Sequence, residues 1–461
     1  MQLPKSLSFW ALPKVRSQFT LFSQKKLLKL LIPLMIEQLI VVTVSFIDTM
    51  MLSSIHQNAL SAISLVDMIN LLILQLFVAI GAGGSIIAAQ YLGKRERDNA
   101  ITTANQSALI LLVFSTLVSA LTLIFGGQLL EIIYPKVSPG IMNFAREYLR
   151  LSAISYPAYA LYYGGASLLY AQSNSRSSMV AALMMNLVKV GMNLLLIRVF
   201  HLGVVGIGLA TLAARLTGAF IVTRILFDKT SLIHYRRPID LRLALSVDKR
   251  IFKVAAPTGM ENFLFNFGKL IIGTIFAGFT SAMIAANAAG GMLSTIVNIP
   301  GNALSLATVT VIGQCVGSGN YAEAEYNAKR LLYWRYAVLL VMSLLTFALI
   351  VPLTRVLGLT PEAAEITIRL LRLYTILNLF IEPFAFGLPN ALRASGDNKH
   401  TMYVCLASMM VVRVGLSFLL VYAFGMQMGG IWLAMYADWA LRMAMFIHRF
   451  RGGKWKKHSL V

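Results

Sequence analysis

The apolar residues of this 461-residue chain gather into long runs that short polar segments separate. Each run has roughly twenty or more mostly apolar residues, the length that a helix needs to cross a bilayer core of about 30 Å. The pattern predicts twelve such helices, with approximate limits at 29–53, 59–89, 101–126, 145–172, 177–199, 203–227, 251–277, 283–313, 327–355, 365–394, 400–424 and 428–450. Twelve crossings place both ends of the chain on one side of the membrane. We therefore expect an all-α, multi-pass membrane protein.

The second half of the chain repeats the first at a constant offset of 224 residues. This shift superimposes VKVGMNLLLI (188–197) on VRVGLSFLLV (412–421) and Glu37 on Glu261. Two parallel six-helix repeats, related by a pseudo-twofold axis along the membrane normal, are a transporter architecture with the substrate site near the midplane. The domains that follow are a basic amino-terminal segment at 1–28, an amino-terminal lobe at 29–227, a linker at 228–250, a carboxy-terminal lobe at 251–450 and a basic tail at 451–461.

Composition and charge agree with a membrane protein. Apolar residues make up 58% of the chain and charged ones only 13%, about half the share in soluble domains. The net charge of +22 comes from basic residues in the short connections, which predicts cytoplasmic termini in the cell membrane. Nucleic-acid binding would need one continuous basic face, which the pattern does not provide. Without a phosphate-binding loop, a nucleophile–base motif or a metal-binding spacing, we expect neither an enzyme nor a cofactor or bound metal.

Charges inside the apolar runs fall into two groups, those found in both repeats and those found in one. Glu37 and Lys189 recur as Glu261 and Arg413 at matched depth. Because pairing reduces the cost of burying a charge, the repeat predicts two structural ion pairs, Glu37–Lys189 and Glu261–Arg413. The alternative is a role in coupling, in which protonation opens such a pair.

Asp48 has no acidic counterpart, since Ile272 occupies the matching position. It lies at a depth close to that of Asn193 and Thr211. A carboxylate beside amide and hydroxyl oxygens can bind a proton or a small hard cation. This grouping predicts a coupling site at Asp48, against the alternative of a hydrogen-bonded contact between helices.

Glu382 and Lys269 are unmatched as well, and we expect both at a substrate site. Pro383 and Pro389 follow Glu382 on the same predicted helix, and prolines in a membrane helix often mark a kink beside a cavity. The alternative is a static Glu382–Lys269 pair.

Three further side chains complete the predicted substrate site. Asp67 is an unmatched acid that faces either the cleft or a neighbouring helix. The rings of Tyr159 and Tyr163 are suited to stack on flat cationic compounds, and the alternative is an aromatic belt at the membrane interface. Asp438 and Arg442 stand four residues apart on one helix and predict a local ion pair.

Three segments resemble motifs of the multidrug and toxic compound extrusion (MATE) family. They are AAQYLGKRERDNA (88–100), IGQCVGSGNYAEAE (312–325) and NALRASGDNKHTM (390–402). The resemblance implies a cation-coupled exporter of amphipathic, often cationic organic compounds, with two six-helix lobes around a cleft. The related flippases of lipid-linked saccharides are the alternative. We expect small organic compounds and the lipid bilayer as partners, and a monomer.

The resemblance also assigns residues. Asp48, Asn193 and Thr211 match the family's amino-lobe cation site, and Glu382 matches a functional acid of the tenth helix. The chain departs from the family at Lys189, where members commonly have Asn. A fixed positive charge there opposes Na⁺ at Asp48, so H⁺ is favoured as the coupling ion although Na⁺ stays open.

Overall fold

The helices of the protein follow the apolar runs of its sequence. The computed structural model describes residues 21–52, 57–236, 244–458 and 460–461, which contain no β-strand. Helices α1 to α7 are Gln24–Leu52, Gln57–Gly93, Arg97–Ile133, Pro139–Ile154, Tyr156–Ala171, Ser175–Asn193 and Gly203–Leu226. Helices α8 to α15 are Leu245–Ile275, Ser281–Gly317, Tyr321–Val356, Pro361–Glu382, Leu388–Ser395, Asn398–Ala407, Leu416–Phe418 and Gln427–Arg451. The all-α class predicted from the sequence is confirmed.

Wider turns divide or extend several of the predicted spans. The fourth span consists of α4 and α5, which meet at Ser155. The tenth consists of α11 and α12, joined by a π-helical turn at Pro383–Gly387. Similar turns extend the fifth span at Leu194–Val199 and the eleventh at Ser408–Gly415. Pro383 has no backbone N–H to donate, which favours the wider turn at the end of α11.

Eight helices in the described part of the chain are long and apolar enough to cross a membrane by length and composition alone. The other four predicted spans are the divided fourth and tenth ones, α8 and α15. Helix α8 carries Glu261 and Lys269, and α15 carries Asp438 and Arg442, so these helices are more polar than the rest. The twelve spans follow one another in the predicted order.

The helices form two units, defined by the contacts among their residues. The amino-terminal unit is Ile32–Gly259. The carboxy-terminal unit comprises Met260–Val461 and the described residues up to Leu31. The divisions therefore fall inside α1 and α8 and not in the polar linker.

The described part of the linker is attached to the amino-terminal unit. Arg97, at the start of α3, donates a hydrogen bond to the carbonyl oxygen of Leu232 at 3.0 Å. Arg250, near the start of α8, donates to the hydroxyl of Tyr91 at 2.6 Å. Basic side chains of the connecting segments thus fix the linker as well as carrying its positive charge.

The amino-terminal unit is built on α2, which contacts α3, α4 and α5. Ile63, Leu130, Leu149 and Ile207 are among the buried side chains of its core. Helices α2 and α3 approach closely at Gly84, where a Cβ atom would lie 2.3 Å from the Ser107 Oγ.

The outer face of α3 is apolar and exposed. Val113, Leu117 and Ile124 are among the exposed large hydrophobic side chains of this helix. Such a face would be unfavourable in water but is the surface that a membrane helix presents to lipid.

The core of the carboxy-terminal unit is rich in aromatic rings. The ring of Tyr374 lies 6.2 Å from those of Trp432 and Trp439, and the ring of Phe386 lies 5.2 Å from that of Trp439. These edge-to-face contacts hold α11, α15 and the turn between α11 and α12 together.

The segment that follows α15 is folded onto the carboxy-terminal unit. Trp455 is 1% exposed, stacks on Phe450 at 5.1 Å and donates its indole N–H to the Phe450 carbonyl at 3.0 Å. Lys456 forms an ion pair with Glu325 at 2.7 Å. The segment that the sequence suggests is a basic tail is therefore an ordered part of this unit.

Candidate functional site

A cavity of about 720 Å³ lies inside the carboxy-terminal unit. Its wall is formed by side chains of α8, α9, α10, α11, α12, α13, α15 and the turns that join α11 to α12 and follow α13. The size suits a drug-sized molecule. Both Glu382 and Lys269 line this cavity, so the kinked tenth span does lie beside a cavity, as its two prolines predict.

Glu382 is held by Arg335 of α10. Arg335 Nε donates to Glu382 Oε2 at 2.8 Å, and Nη2 donates to Oε1. Arg335 Nη1 donates to the Gly301 carbonyl at 2.7 Å and to the Ser305 hydroxyl at 2.8 Å. Both residues are buried. The alternative of a Glu382–Lys269 pair is therefore wrong.

Arg335 was not among the residues predicted from the sequence. The depth of Arg335 in its helix could have marked it as a buried charge. It lies fourteen residues inside α10, which is roughly 21 Å of helix. A basic residue at that depth requires a counter-charge, and Glu382 provides it.

Glu261 pairs with Arg393 and not with Arg413. Arg393 Nη2 donates to Glu261 Oε1, and Arg393 Nη1 donates to Asn390 Oδ1 at 2.9 Å. The predicted Glu261–Arg413 pair is wrong, because the carboxylate of Glu261 pairs with Arg393 at the end of α12. Equal depth in two repeats does not fix which neighbouring helix supplies the partner.

Arg413 and Arg442 lie on either side of Asp438. Arg442 Nε is 2.8 Å from Asp438 Oδ1, which confirms the local pair predicted on α15. Arg413 Nη1 lies 3.8 Å from Asp438 Oδ2, and its Nε is buried without a hydrogen-bond partner among the described residues. Asp438 is fully buried. Its carboxylate forms ion pairs with both guanidinium groups.

The segment RASGD (393–397) joins α12 to the end of α15. Arg393 holds Glu261 at one end. At the other end, Asp397 accepts from Arg449 Nε at 2.6 Å and Nη2 at 3.0 Å. Gly396 between them has φ +101°, and a Cβ there would lie 2.2 Å from the His458 carbonyl oxygen, so only glycine fits.

The amino-terminal unit places Lys189 beside Asp48. Lys189 Nζ forms an ion pair with Asp48 Oδ2, and Asn193 Nδ2 donates to Oδ1 at 3.1 Å. Asp48 and Asn193 thus meet, as the sequence predicts. Thr211 is buried on α7, and the described residues show no hydrogen bond between it and Asp48. The predicted Glu37–Lys189 pair is wrong, because the ammonium group of Lys189 pairs with Asp48 instead.

Glu37 is held by hydroxyl groups. It is buried and accepts hydrogen bonds from Tyr170 at 2.5 Å and from Ser178 at 3.3 Å, both to Oε1. Its other oxygen, Oε2, is buried and has no hydrogen-bond partner in the part of the chain that the structure describes. The expected partner was a base at the same depth, whereas hydroxyl groups on α5 and α6 face the acid.

Asp67 lies in a polar network. It accepts from Asn70 Nδ2 at 3.3 Å and from the Tyr148 hydroxyl at 3.1 Å. Asn70 in turn accepts from the Tyr156 hydroxyl at 2.8 Å. Asp67 is therefore tied to α4 and α5.

Tyr159 and Tyr163 lie together on α5, with ring centroids 5.3 Å apart. The guanidinium of Arg215 already lies over the Tyr159 ring at 4.7 Å and donates to the Ser155 hydroxyl at 2.7 Å. Of the two rings predicted to stack on a cationic compound, that of Tyr159 thus already carries a cationic side chain of α7.

These features define a multi-pass helical membrane protein with a duplicated domain and buried charges in each half. The MatE family matches residues 33–195 and 257–419, and the chain belongs to this family. The two matches start 224 residues apart, which is the offset of the internal repeat. The family predicted from the motifs is therefore confirmed.

Known relatives and solved structures of this family are similar to the chain over nearly its whole length. The probable multidrug resistance protein NorM of Thermotoga maritima is 23% identical over 449 residues, covering 95% of this chain and 94% of the relative. The multidrug and toxin extrusion protein 1 of Oryctolagus cuniculus is 22% identical, covering 89% of this chain and 72% of the relative. The fold is similar to that of a multidrug resistance MATE family transporter of the MOP superfamily in its outward-facing conformation, with 17% identity, a TM-score of 0.88 and coverage of 99% and 100%.

Proposed function

We propose that this protein is a secondary active exporter of amphipathic organic compounds, driven by inward movement of a cation through its amino-terminal unit. Membership of the MatE family supports transport. The names of relatives, as multidrug resistance and as multidrug and toxin extrusion proteins, support export of organic compounds. In this proposal the protein lies in the cell membrane with both termini in the cytoplasm, works as a monomer and needs no further cofactor.

The observation that carries the proposal is the group formed by Asp48, Lys189 and Asn193. Their side chains meet within an apolar helical unit, and those of Asp48 and Lys189 are 16% and 29% exposed, so an ion can reach them. Neutralising the carboxylate would leave Lys189 charged and unpaired, which is costly away from water. Binding of a cation at Asp48 therefore favours a different arrangement of α1 and α6.

Lys189 decides between the coupling ions in this proposal. A sodium ion at Asp48 would lie beside a fixed ammonium group, and the like charges oppose each other. A proton binds to the carboxylate itself and needs no coordination shell. We propose H⁺ as the coupling ion.

Everted membrane vesicles or proteoliposomes test the proposal with fluorescent organic dyes. A pH gradient and a sodium gradient are imposed separately, with nigericin and monensin to collapse each one. We expect the pH gradient to drive dye transport and the Asp48→Asn variant to lose it while still folding. Glu131→Gln is the matched control, because Glu131 is an exposed acid of the same unit.

Several results would contradict the proposal. Dye movement that ignores both gradients would exclude secondary transport of these dyes. Normal gradient-driven transport by Asp48→Asn would remove Asp48 from the coupling step and return that role to Glu37 or Glu382.

A further inference from the structure

The cavity in the carboxy-terminal unit carries more positive than negative side chains. The charged residues of its wall are Lys269, Arg335, Arg393, Arg413, Arg442, Glu261 and Glu382. We infer that this cavity binds an organic anion: an amphipathic, aromatic compound that bears a carboxylate, sulfonate or phosphate group. The inference rests on the proposed export of organic compounds and names the charge of the compound, which the sequence analysis expected to be positive.

Both carboxylates of the wall are already neutralised. Arg335 engages both oxygens of Glu382, and Arg393 engages Oε1 of Glu261. A cationic compound would have to displace the guanidinium of Arg335 or Arg393 from its carboxylate, which leaves that guanidinium uncompensated. Glu382 therefore offers no free negative charge to a cation.

The basic residues are not all neutralised. Asp438 is the acid beside Arg442 and Arg413, but it lies 2.8 Å from the first and 3.8 Å from the second. Lys269 forms no ion pair or hydrogen bond within the described chain, and its ammonium lies 4.6 Å from the centroid of the Phe265 ring. Counting Asp438, five basic side chains face three carboxylates, so two positive charges remain.

The excess charge is concentrated around Phe265. Besides Lys269, the guanidinium groups of Arg413 and Arg442 lie 5.9 Å and 5.3 Å from its ring centroid. Three like charges around one ring repel one another, and an anion placed among them would relieve that repulsion. Guanidinium groups also match the planar, two-oxygen geometry of carboxylates and phosphates.

The rest of the wall suits an aromatic body with hydrogen-bonding groups. Rings of Phe276, Tyr374, Trp432 and Trp439 line the cavity, together with the amide side chains of Asn262, Asn287, Asn298, Asn302 and Asn390. Aromatic walls with a few polar groups are typical of sites for small organic molecules.

The amino-terminal repeat lacks this excess of charge. Its residues at the positions of Lys269 and Arg442 are Ser45 and Gly218. The counterpart of Arg413, which is Lys189, is neutralised by Asp48. The described part of the amino-terminal repeat therefore does not reproduce this group of three basic side chains.

Equilibrium binding to the purified protein in zwitterionic lipid nanodiscs tests the inference. Fluorescence anisotropy is recorded with carboxyfluorescein as the anion and rhodamine 123 as a cation on a similar ring system. We expect the anion to bind at least tenfold more tightly. Lys269→Gln is expected to weaken anion binding about tenfold, as loss of a charge contact implies, and to leave cation binding unchanged. Lys399→Gln, an exposed basic residue of the same unit, is the control.

A charge reversal sharpens the test. Lys269→Glu, at a residue that has no ion partner within the described ranges, is expected to abolish the preference for the anion. Tighter binding of the cation by the unchanged protein, or binding of the anion that ignores Lys269, would overturn the inference. Because binding needs no gradient, the two proposals fail separately. Export of cations alone would overturn the anion site, whereas anion binding without gradient-driven export would uphold the site and contradict export.

Discussion

Lys189 of α6 and Asp48 of α1 form an ion pair, whereas the equivalent base of the second repeat, Arg413, lies near Asp438 of α15. The position of Asp48 is taken by Ile272 in that repeat, and the position of Asp438 by Ala214 in the first. Duplication has kept the base and moved its counter-charge to another helix. An ion that neutralises the acid would therefore act on α1 in one unit and on α15 in the other.

A double-mutant cycle on Asp48 and Lys189 measures this pair. Asp48→Asn leaves an unpaired ammonium, so we expect a loss of about 1–3 kcal/mol, less than for a fully buried pair because both side chains are partly exposed. Adding Lys189→Met should restore part of the loss. Thermal unfolding of the purified variants provides the measurement, and strictly additive effects would show that the pair is not coupled.

Glu382 and Arg335 are expected to show a larger effect. Both side chains are nearly fully buried, so Glu382→Gln should destabilise the carboxy-terminal unit by about 3–5 kcal/mol. The pair Glu382→Gln with Arg335→Met should recover much of this. The measurements are the expression level and melting temperature of the two single variants, Glu382→Gln and Arg335→Met, and of the double variant. A double variant no more stable than the single ones would contradict the predicted coupling of this pair.

Gly84 sets the distance between α2 and α3. Alanine there would bring a Cβ within 2.6 Å of the Ser107 Cβ, so Gly84→Ala should separate the helices and lower the melting temperature. Removing the opposing side chain with Ser107→Gly should compensate. Gly191→Ala is the control, because nothing lies within 4 Å of its Cβ position and alanine favours helix by about 0.5–1 kcal/mol. Equal effects of both alanines would contradict the close approach.

Asp397 and Arg449 are expected to stabilise the end of the carboxy-terminal unit. Asp397→Asn replaces two charge-assisted hydrogen bonds by weaker ones, which should cost about 1–3 kcal/mol. Asp228→Asn, at an exposed acid of the linker, should have no such effect. Limited proteolysis of residues after Arg451 would report the loosening, and unchanged protection in Asp397→Asn would argue against it.

The fold could be predicted because the bilayer fixes the length of each span, and twelve apolar runs of that length are visible in the sequence. The internal repeat likewise predicted that the side chains of Glu37, Lys189, Glu261 and Arg413 are buried; Glu37 and Glu261 are, whereas Lys189 and Arg413 are partly exposed. Depth, however, follows from position along a helix, whereas partners depend on rotation about its axis and on which helix lies opposite.

The ion-pair partners predicted on different helices were wrong because rotation about the helix axis could not be read from the sequence. The turns at Pro383–Gly387, Leu194–Val199 and Ser408–Gly415 change the rotation of the residues that follow them. A helical period of 3.6 residues counted through these turns therefore no longer predicts which face carries a residue such as Arg393 or Arg413. Arg335 and Tyr170 were missed because nothing in the linear pattern shows that they face Glu382 and Glu37.

The folded segment after α15 has a consequence for quality control in the cell. Ending the chain at Gly452 would leave every spanning helix intact by sequence, yet it would remove the Trp455 ring from Phe450 and the His458 carbonyl from its place above Gly396. An apolar face of the carboxy-terminal unit would then be uncovered. We expect such a shortened protein to insert into the membrane normally and still be recognised as misfolded and degraded.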